Sequence, residues 1–318
     1  MQLFRGLPLA PHIGPTALAI GNFDGVHRGH QALIDALKAH AKPRGLTCAV
    51  MTFEPHPRVF FSPATAPARI STLRDRLDAL SAHGIQTTFL LRFNQALGSM
   101  APRDFVTQLL AGACNAKFVM VGEDFRFGAR RGGDVAMLRH MGAELGFSVA
   151  ALSDVKENDA RISSSLVRQA LAAGELAQAA ELLGRPYAIT GHVVHGARLG
   201  RTLDFPTLNQ RLAFANPAAR GIFAVLVHGL AAQPLPGVAS LGLRPTVDNS
   251  GRWLLESHVF DWAGDAYGKI VRVELLIKLR DEERYDDLPT LQRAIAADAA
   301  AARAYFKLAP SAAIDRII

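Results

Sequence analysis

Apolar positions in the first 183 residues follow two alternating patterns. Short apolar and β-branched runs, Ala17 to Ile20, Thr47 to Phe53, Thr87 to Leu91, Lys117 to Val121 and Phe147 to Ala151, predict strands. Between them, His30 to Ala41, Leu73 to His83, Asp104 to Ala113 and Val135 to Leu145 carry apolar residues three or four apart. Each predicted helix therefore has one face to pack on a sheet. Strand and helix in alternation predict an α/β domain with a doubly wound parallel sheet. Hydroxyl residues open a further helix, Ser164 to Ala173, which Gly174 stops, and a short one follows.

From Leu183 to Tyr187 the pattern changes. Tyr187 to His195, Gly221 to Val227, Val238 to Leu241, Trp253 to Asp261 and Lys269 to Leu279 predict strands with no helix between them. Such a series predicts an antiparallel sheet closed into a small barrel. A terminal helix follows, whose Leu288, Leu291, Ile295, Ala299, Ala302 and Phe306 form one stripe to set against that barrel. The division into residues 1–183 and 184–318 fits a chain of 318 residues, about two domains' worth at roughly 150 each.

Composition narrows the function. Hydrophobic residues at 49% and charged residues at 20% give enough apolar surface for a large core, which excludes disorder as the dominant state. The balance of 35 basic against 28 acidic residues, +7, favours anionic partners. Neither half is a basic arm, and aromatics are only 7%, so a nucleic-acid polymer is not the expected partner. Cys48 and Cys114 lie far apart in apolar stretches and read as core thiols. With no leader-like segment and no apolar run of membrane-spanning length, the expectation is a soluble cytoplasmic protein, a monomer or weak oligomer.

Candidate chemistry begins where the first strand gives way to a helix, at Gly21, Asn22, Phe23, Asp24, Gly25, Val26, His27, Arg28, Gly29 and His30. A helix start presents unpaired N–H groups and a positive dipole end, a ready site for phosphate. His27 and His30, three apart, share one face of the first turn, and Gly29 lets a ligand approach the backbone. Imidazoles so placed suit nucleotidyl transfer, stabilising charge on an α-phosphate during in-line attack. A second loop-to-helix junction, Arg161 to Arg168, adds Ser164, Ser165 and two guanidiniums. A third string, Val121 to Gly133, follows a strand and contains Asp124.

In the second half, Gly191 to Asn209 holds Gly196, Gly200, Arg198 and Arg201, a composition able to wrap phosphate. Thr207 and Asn209 offer neutral oxygens suited to Mg²⁺. Further on, alternation places Glu256 on the same strand face as Leu254, His258 and Phe260, where a carboxylate calls for a reason. The acidic residues Asp281 to Glu283, with Asp286 and Asp287, read as a solvated turn.

The first-half strings, in this order and with Thr52 to Pro57 between the first and third, closely resemble the prokaryotic bifunctional riboflavin kinase/FMN adenylyltransferases, also called FAD synthetases. The resemblance implies a Rossmann-like nucleotidyltransferase domain of the HxGH type over 1–183 and a riboflavin kinase barrel with a terminal helix over 184–318. It implies that His27 and His30 carry the ATP phosphates and the transition state as FMN is coupled to AMP with release of pyrophosphate. Gly21, Asn22, Phe23, Asp24, Gly29 and Asp124 would shape the nucleotide and flavin pocket, and Arg161, Ser164, Ser165 and Arg168 would hold phosphate. Residues 200 to 209 resemble the kinase signature GRTxGFPTAN. Gly200 and Arg201 would bind nucleotide, Thr207 and Asn209 would hold Mg²⁺ and the ATP phosphates, and Glu256 would be the general base toward riboflavin. Asp204 and Leu208 depart from that signature, which usually has Gly and Ala there. A single-activity adenylyltransferase whose barrel only binds flavin, or a flavin-nucleotide sensor, are the alternatives.

Overall fold

The computed structural model describes residues 1–6, 13–153, 156–157, 160–196, 205–214, 216–243 and 253–309. They form two compact units, Met1–Pro67 with Arg76–Ser163, and Ala68–Asp75 with Ser164–Ile318.

In the first unit six parallel strands, β1 (Gln2–Arg5), β2 (Thr16–Ile20), β3 (Thr47–Glu54), β4 (Thr87–Arg92), β5 (Ala116–Gly122) and β6 (Ser148–Leu152), lie in the order β1-β4-β3-β2-β5-β6. The predicted parallel sheet is thus present, with β1 added at an edge. With only four residues, exposed at both ends and half-buried between, β1 carries no periodic signal. The helices are α1 (Arg28–Ala41), α2 (Pro57–Phe61), α3 (Leu73–Ala82), α4 (Gln95–Gly98), α5 (Pro102–Asp104), a π-helix Phe105–Ala113, and α6 (Val135–Leu145). A two-stranded piece, β7 (Lys156–Glu157) and β8 (Ala160–Arg161), follows.

Both faces of the sheet are covered. Leu18 and Ile20 of β2 join Phe105, Leu109 and Leu138 in one core, while Ala17 and Ala19 join Ile34, Leu37 and Leu80 in the other. Burial on both sides explains why these strands read as continuous apolar runs. The chain runs outward from β2 through β3 to β4, then returns to β5 on the other flank, so the order reverses between β2 and β5. In such sheets the crevice at the carboxyl ends of the strands flanking that reversal is where ligands bind.

The second unit contains α7 (Ser164–Ala173), α8 (Leu176–Leu183), β9 (Ala188–Val194), β10 (Leu208–Arg211), β11 (Gly221–His228), β12 (Leu235–Leu243), β13 (Trp253–Val259), β14 (Ile270–Arg280) and α9 (Leu288–Tyr305). The strands close an antiparallel barrel in the order β10-β13-β12-β11-β14-β9. Phe223, Val225, Leu241, Leu255 and Val273 fill it. On the outer face, α9 lays Ala296, Ala299 and Ala302 against Ile222, Ala224 and Val238. The expected stripe needs correcting at its start, where Leu288 is 56% exposed, and the buried line consists of alanines that permit close approach to the sheet.

Candidate active sites

The carboxyl end of β2 turns through Gly21 to His27 before α1 begins. Phe23 (φ 50°), Gly25 (φ 84°) and Val26 (φ 43°) all lie in the left-handed region. For Phe23 and Val26 such backbone costs of order 1–3 kcal/mol each, and strain of this kind persists only where surrounding contacts hold it. The contacts are visible. The Phe23 ring is buried, Gln31 Nε2 donates to the Val26 carbonyl at 2.9 Å, and the Gly21 N–H donates to Met51 at 3.1 Å.

The turn delivers both histidines to the mouth of α1. His27 occupies the N-cap with extended backbone, and its ring stacks on that of His30 with centroids 3.8 Å apart, while Phe23 lies 5.0 Å from His30. Gly29 is required between them, because a Cβ there would stand 3.1 Å from His27 Nδ1 and 3.1 Å from the Ile162 carbonyl. The stretch that follows Arg161 is therefore brought against the histidine turn, although the Arg161 side chain lies outside the description. Asp24 is buried, and the Asn22 Oδ1 is buried with no hydrogen-bond partner among the described residues.

Asp124 stands after β5, on the other side of the reversal, its Oδ1 only 3.1 Å from where a Gly122 Cβ would project. The glycine-rich string around it is anchored, with Phe127 buried and bridged to Gly133 in both directions. Ser164 and Ser165 open α7 in the second unit, and Arg168 Nε donates to the Ala68 carbonyl at 2.5 Å.

Two features of the first unit escape sequence reasoning. Arg76 of α3, 1% exposed, donates to the carbonyls of Asn22 (3.0 Å) and Phe53 (3.2 Å) and pairs with Glu54. Its charge on an otherwise helical face was the only signal. Phe60, Phe61 and Phe93 cluster over Gly98 at the carboxyl ends of β3 and β4, with ring centroids 5.2 to 5.7 Å apart, and Phe61 is 60% exposed.

On the barrel, β10 pairs Asn209 with Glu256 of β13, and Glu256 in turn lies opposite Ser240 of β12. Directly opposed residues on one face have Cβ atoms about 5 Å apart, so these three form a row. Asn209 Nδ2 donates toward Thr207 Oγ1 at 3.4 Å and the Thr207 carbonyl at 3.2 Å. Its buried Oδ1 has no hydrogen-bond partner among the described residues and lies 2.6 Å from where a Gly196 Cβ would be. Residues 197–204, hence Gly200, Arg201 and Asp204, lie outside the description.

The alternation of β13 holds: Leu254, Glu256 and His258 are half-buried while Leu255, Ser257 and Val259 face the interior. His258 Nδ1–H donates to the Pro206 carbonyl at 2.9 Å, which ties the Thr207 segment to β13, and burial holds its pKa below the ordinary imidazole value. The acidic turn is more than solvated. Glu282 rests against Gly242 and accepts from Ser240 Oγ at 3.4 Å, and burial first, then the nearby Glu256, raises its pKa. Asp287 caps α9 through the Thr290 N–H at 2.7 Å. Among the described residues no group of three His, Cys, Asp or Glu could hold a metal, and no helix is long and apolar enough to cross a membrane.

A parallel sheet carries paired histidines at its order reversal, and a closed barrel carries an Asn–Glu row, two arrangements chemically suited to holding phosphate. Comparison makes the class specific. Residues 10–166 match the FAD synthetase family model and residues 183–306 the riboflavin kinase model. The bifunctional riboflavin kinase/FMN adenylyltransferase of Escherichia coli (strain K12) is 45% identical over 311 residues, covering 97% of this chain and 99% of that one. That of Pseudomonas fluorescens is 44% identical over 313 residues, covering 98% and 99%. A crystal structure described as a macrolide-efflux protein from Streptococcus pneumoniae superposes with TM-score 0.71 at 28% identity, over 94% of this chain and 97% of that one. The chain belongs to the bifunctional riboflavin kinase/FMN adenylyltransferase family.

Proposed function

We propose that the two activities of this enzyme occupy the two sites separately, adenylyl transfer at His27 and His30 and phosphoryl transfer at Thr207, Asn209 and Glu256. The observation that carries the first assignment is the stacked histidine pair at the start of α1. ATP phosphates placed there meet a helix N-terminus and two imidazoles, and an FMN phosphate oxygen, already anionic, needs only alignment for in-line attack on the α-phosphorus. The cluster of exposed Phe61 with half-buried Phe60 and Phe93 gives a flavin ring an aromatic surface on the same edge of the sheet. Gly21, Phe23, Asp24 and Asp124 shape the crevice.

In the kinase half, Asn209 Oδ1 lies beside Thr207 with no hydrogen-bond partner among the described residues, a donor set that fits Mg²⁺, an ion held by oxygen ligands together with water and substrate phosphate. Bound there with ATP, the ion supplies neutralisation of phosphate charge. Glu256, opposite Asn209, takes the proton from the ribityl hydroxyl as that oxygen bonds to the γ-phosphorus and the bond from that phosphorus to the departing ADP breaks. Partners are the small molecules ATP, riboflavin and FMN rather than a nucleic acid, handled in the cytoplasm.

Two variants test the assignment. Loss of a general base costs about 10² to 10⁴ in rate, so Glu256→Gln should retain riboflavin binding, read by flavin fluorescence, but lose FMN formation on that scale. His30→Ala should abolish FAD formation from supplied FMN and leave riboflavin phosphorylation at the wild-type rate. Normal turnover in either variant would refute the corresponding half.

A further inference from the structure

The turn between β2 and α1 has to hold an unfavourable backbone and still place two imidazoles, and one carbonyl sits at its root. The Asn22 carbonyl accepts from Arg76 NH1 at 3.0 Å and from Thr52 Oγ1 at 3.1 Å. Arg76 NH1 also reaches Thr52 Oγ1 at 3.3 Å and the Phe53 carbonyl at 3.2 Å, while NH2 pairs with Glu54. One guanidinium therefore ties the end of β3 to the first residue beyond Gly21. Immediately after that residue come Phe23, Gly25 and Val26, all at positive φ, and then His27. A carbonyl fixed by two donors fixes the peptide plane that Phe23 inherits, and hence the direction in which the turn leaves the sheet.

Burial makes this clamp unlike a surface ion pair. Arg76 is 1% exposed and Thr52 is fully buried, whereas Glu54 is one-third exposed at its side chain. Arginine suits the position because its planar fork offers several donors in fixed directions, which the single ammonium of lysine does not. Thr52 and Glu54 belong to the string Thr52 to Pro57, so that string contributes the seat of this clamp.

We infer that Arg76 is a positioning residue for adenylyl transfer, acting through the Asn22 carbonyl to hold the turn that presents His27 and His30. The inference rests on the reading that adenylyl transfer takes place at that histidine pair.

The test uses the full chain and measures FAD formation from FMN and ATP in steady state, with riboflavin phosphorylation by the same preparation as an internal reference. Arg76→Met should lower kcat for FAD formation about 10- to 100-fold, with KM for ATP and FMN changed less than about threefold, and leave the kinase rate unchanged. Arg76→Lys, keeping the charge and one ammonium in place of the planar fork, should recover part of the lost kcat. Thr52→Val, which removes the second donor to Asn22 but leaves Arg76 in place, should show a smaller loss of the same kind. If Arg76→Met does not fold, judged by circular dichroism and thermal unfolding, Arg76→Lys and Thr52→Val carry the test alone.

A folded Arg76→Met with kcat within twofold of wild type would overturn the inference, as would wild-type kcat in both Arg76→Lys and Thr52→Val. So would a loss confined to KM, or Arg76→Lys no better than Arg76→Met. His30→Ala keeps the two failures apart. Were it still to make FAD, the placement of the reaction would fail; were it inactive while the Arg76 variants stayed normal, only the role of Arg76 would.

Discussion

At Gly29 the histidine site is tight, and a methyl group there would crowd its neighbours. A Cβ would press on the His27 ring and the Ile162 carbonyl, and neither is the free end of a flexible chain. Gly29→Ala should therefore move His27 by a fraction of an ångström without removing any functional group. Misplacements of about 1 Å can lower rates about 100-fold, so FAD formation in this variant should fall about 10- to 100-fold with FMN formation unaffected. Chromatographic assay of both flavins checks this, and FAD formation within twofold of wild type would contradict it. The same scale explains why the sequence named His27, His30 and Glu256 yet passed over Arg76. The first three stand inside motifs with local spacing. Arg76 meets Asn22 only because α3 and the β2 turn converge in space, and one charge in a helical pattern does not announce a buried partner 54 residues away.

Elements behave in the same way: those with periodic, buried faces were legible and those without were not. The strands β2 to β6 follow from their short apolar runs, the major helices from apolar residues three or four apart, and five of the barrel strands from short runs with no helix between them. β10 does not, because three of its four residues, Asn209, Gln210 and Arg211, are polar. Its inward position belongs to Gln210, whose amide donates to the Gly191 and Val271 carbonyls instead of filling space with hydrocarbon. The strand that carries a proposed metal ligand is thus the one that hydrophobic pattern hides. α9 shows a different limit. Its period is right, but the face that packs is set by Ala296, Ala299 and Ala302, and its register on the barrel is pinned by a polar contact. Asp298 accepts from Arg280 Nε and NH2, both at 2.7 Å, which raises the Arg280 pKa. Removing one partner of a fully buried pair costs about 3–5 kcal/mol; with Arg280 part-exposed, Asp298→Ala should cost about 2 kcal/mol. For a unit of this size that is a fall of roughly 4–8 °C in Tm, measurable by calorimetry, and a Tm unchanged within 1 °C would contradict the role given to the pair.

Over the whole molecule, the even spread of the +7 excess fits the proposal of two phosphate-handling sites. The two units contain their own cores, and the proposed chemistry of each is complete without a catalytic group from the other's barrel or histidine turn. It follows that damage to one site should leave the other working, and that two damaged chains should complement one another. The most direct test supplies riboflavin, ATP and Mg²⁺ to His30→Ala, to Glu256→Gln and to their mixture, and resolves the flavins by chromatography. His30→Ala alone should stop at FMN, Glu256→Gln alone should leave riboflavin essentially unconverted, and the mixture should make FAD. FAD from either variant alone, or none from the mixture, would contradict the separation of the two activities.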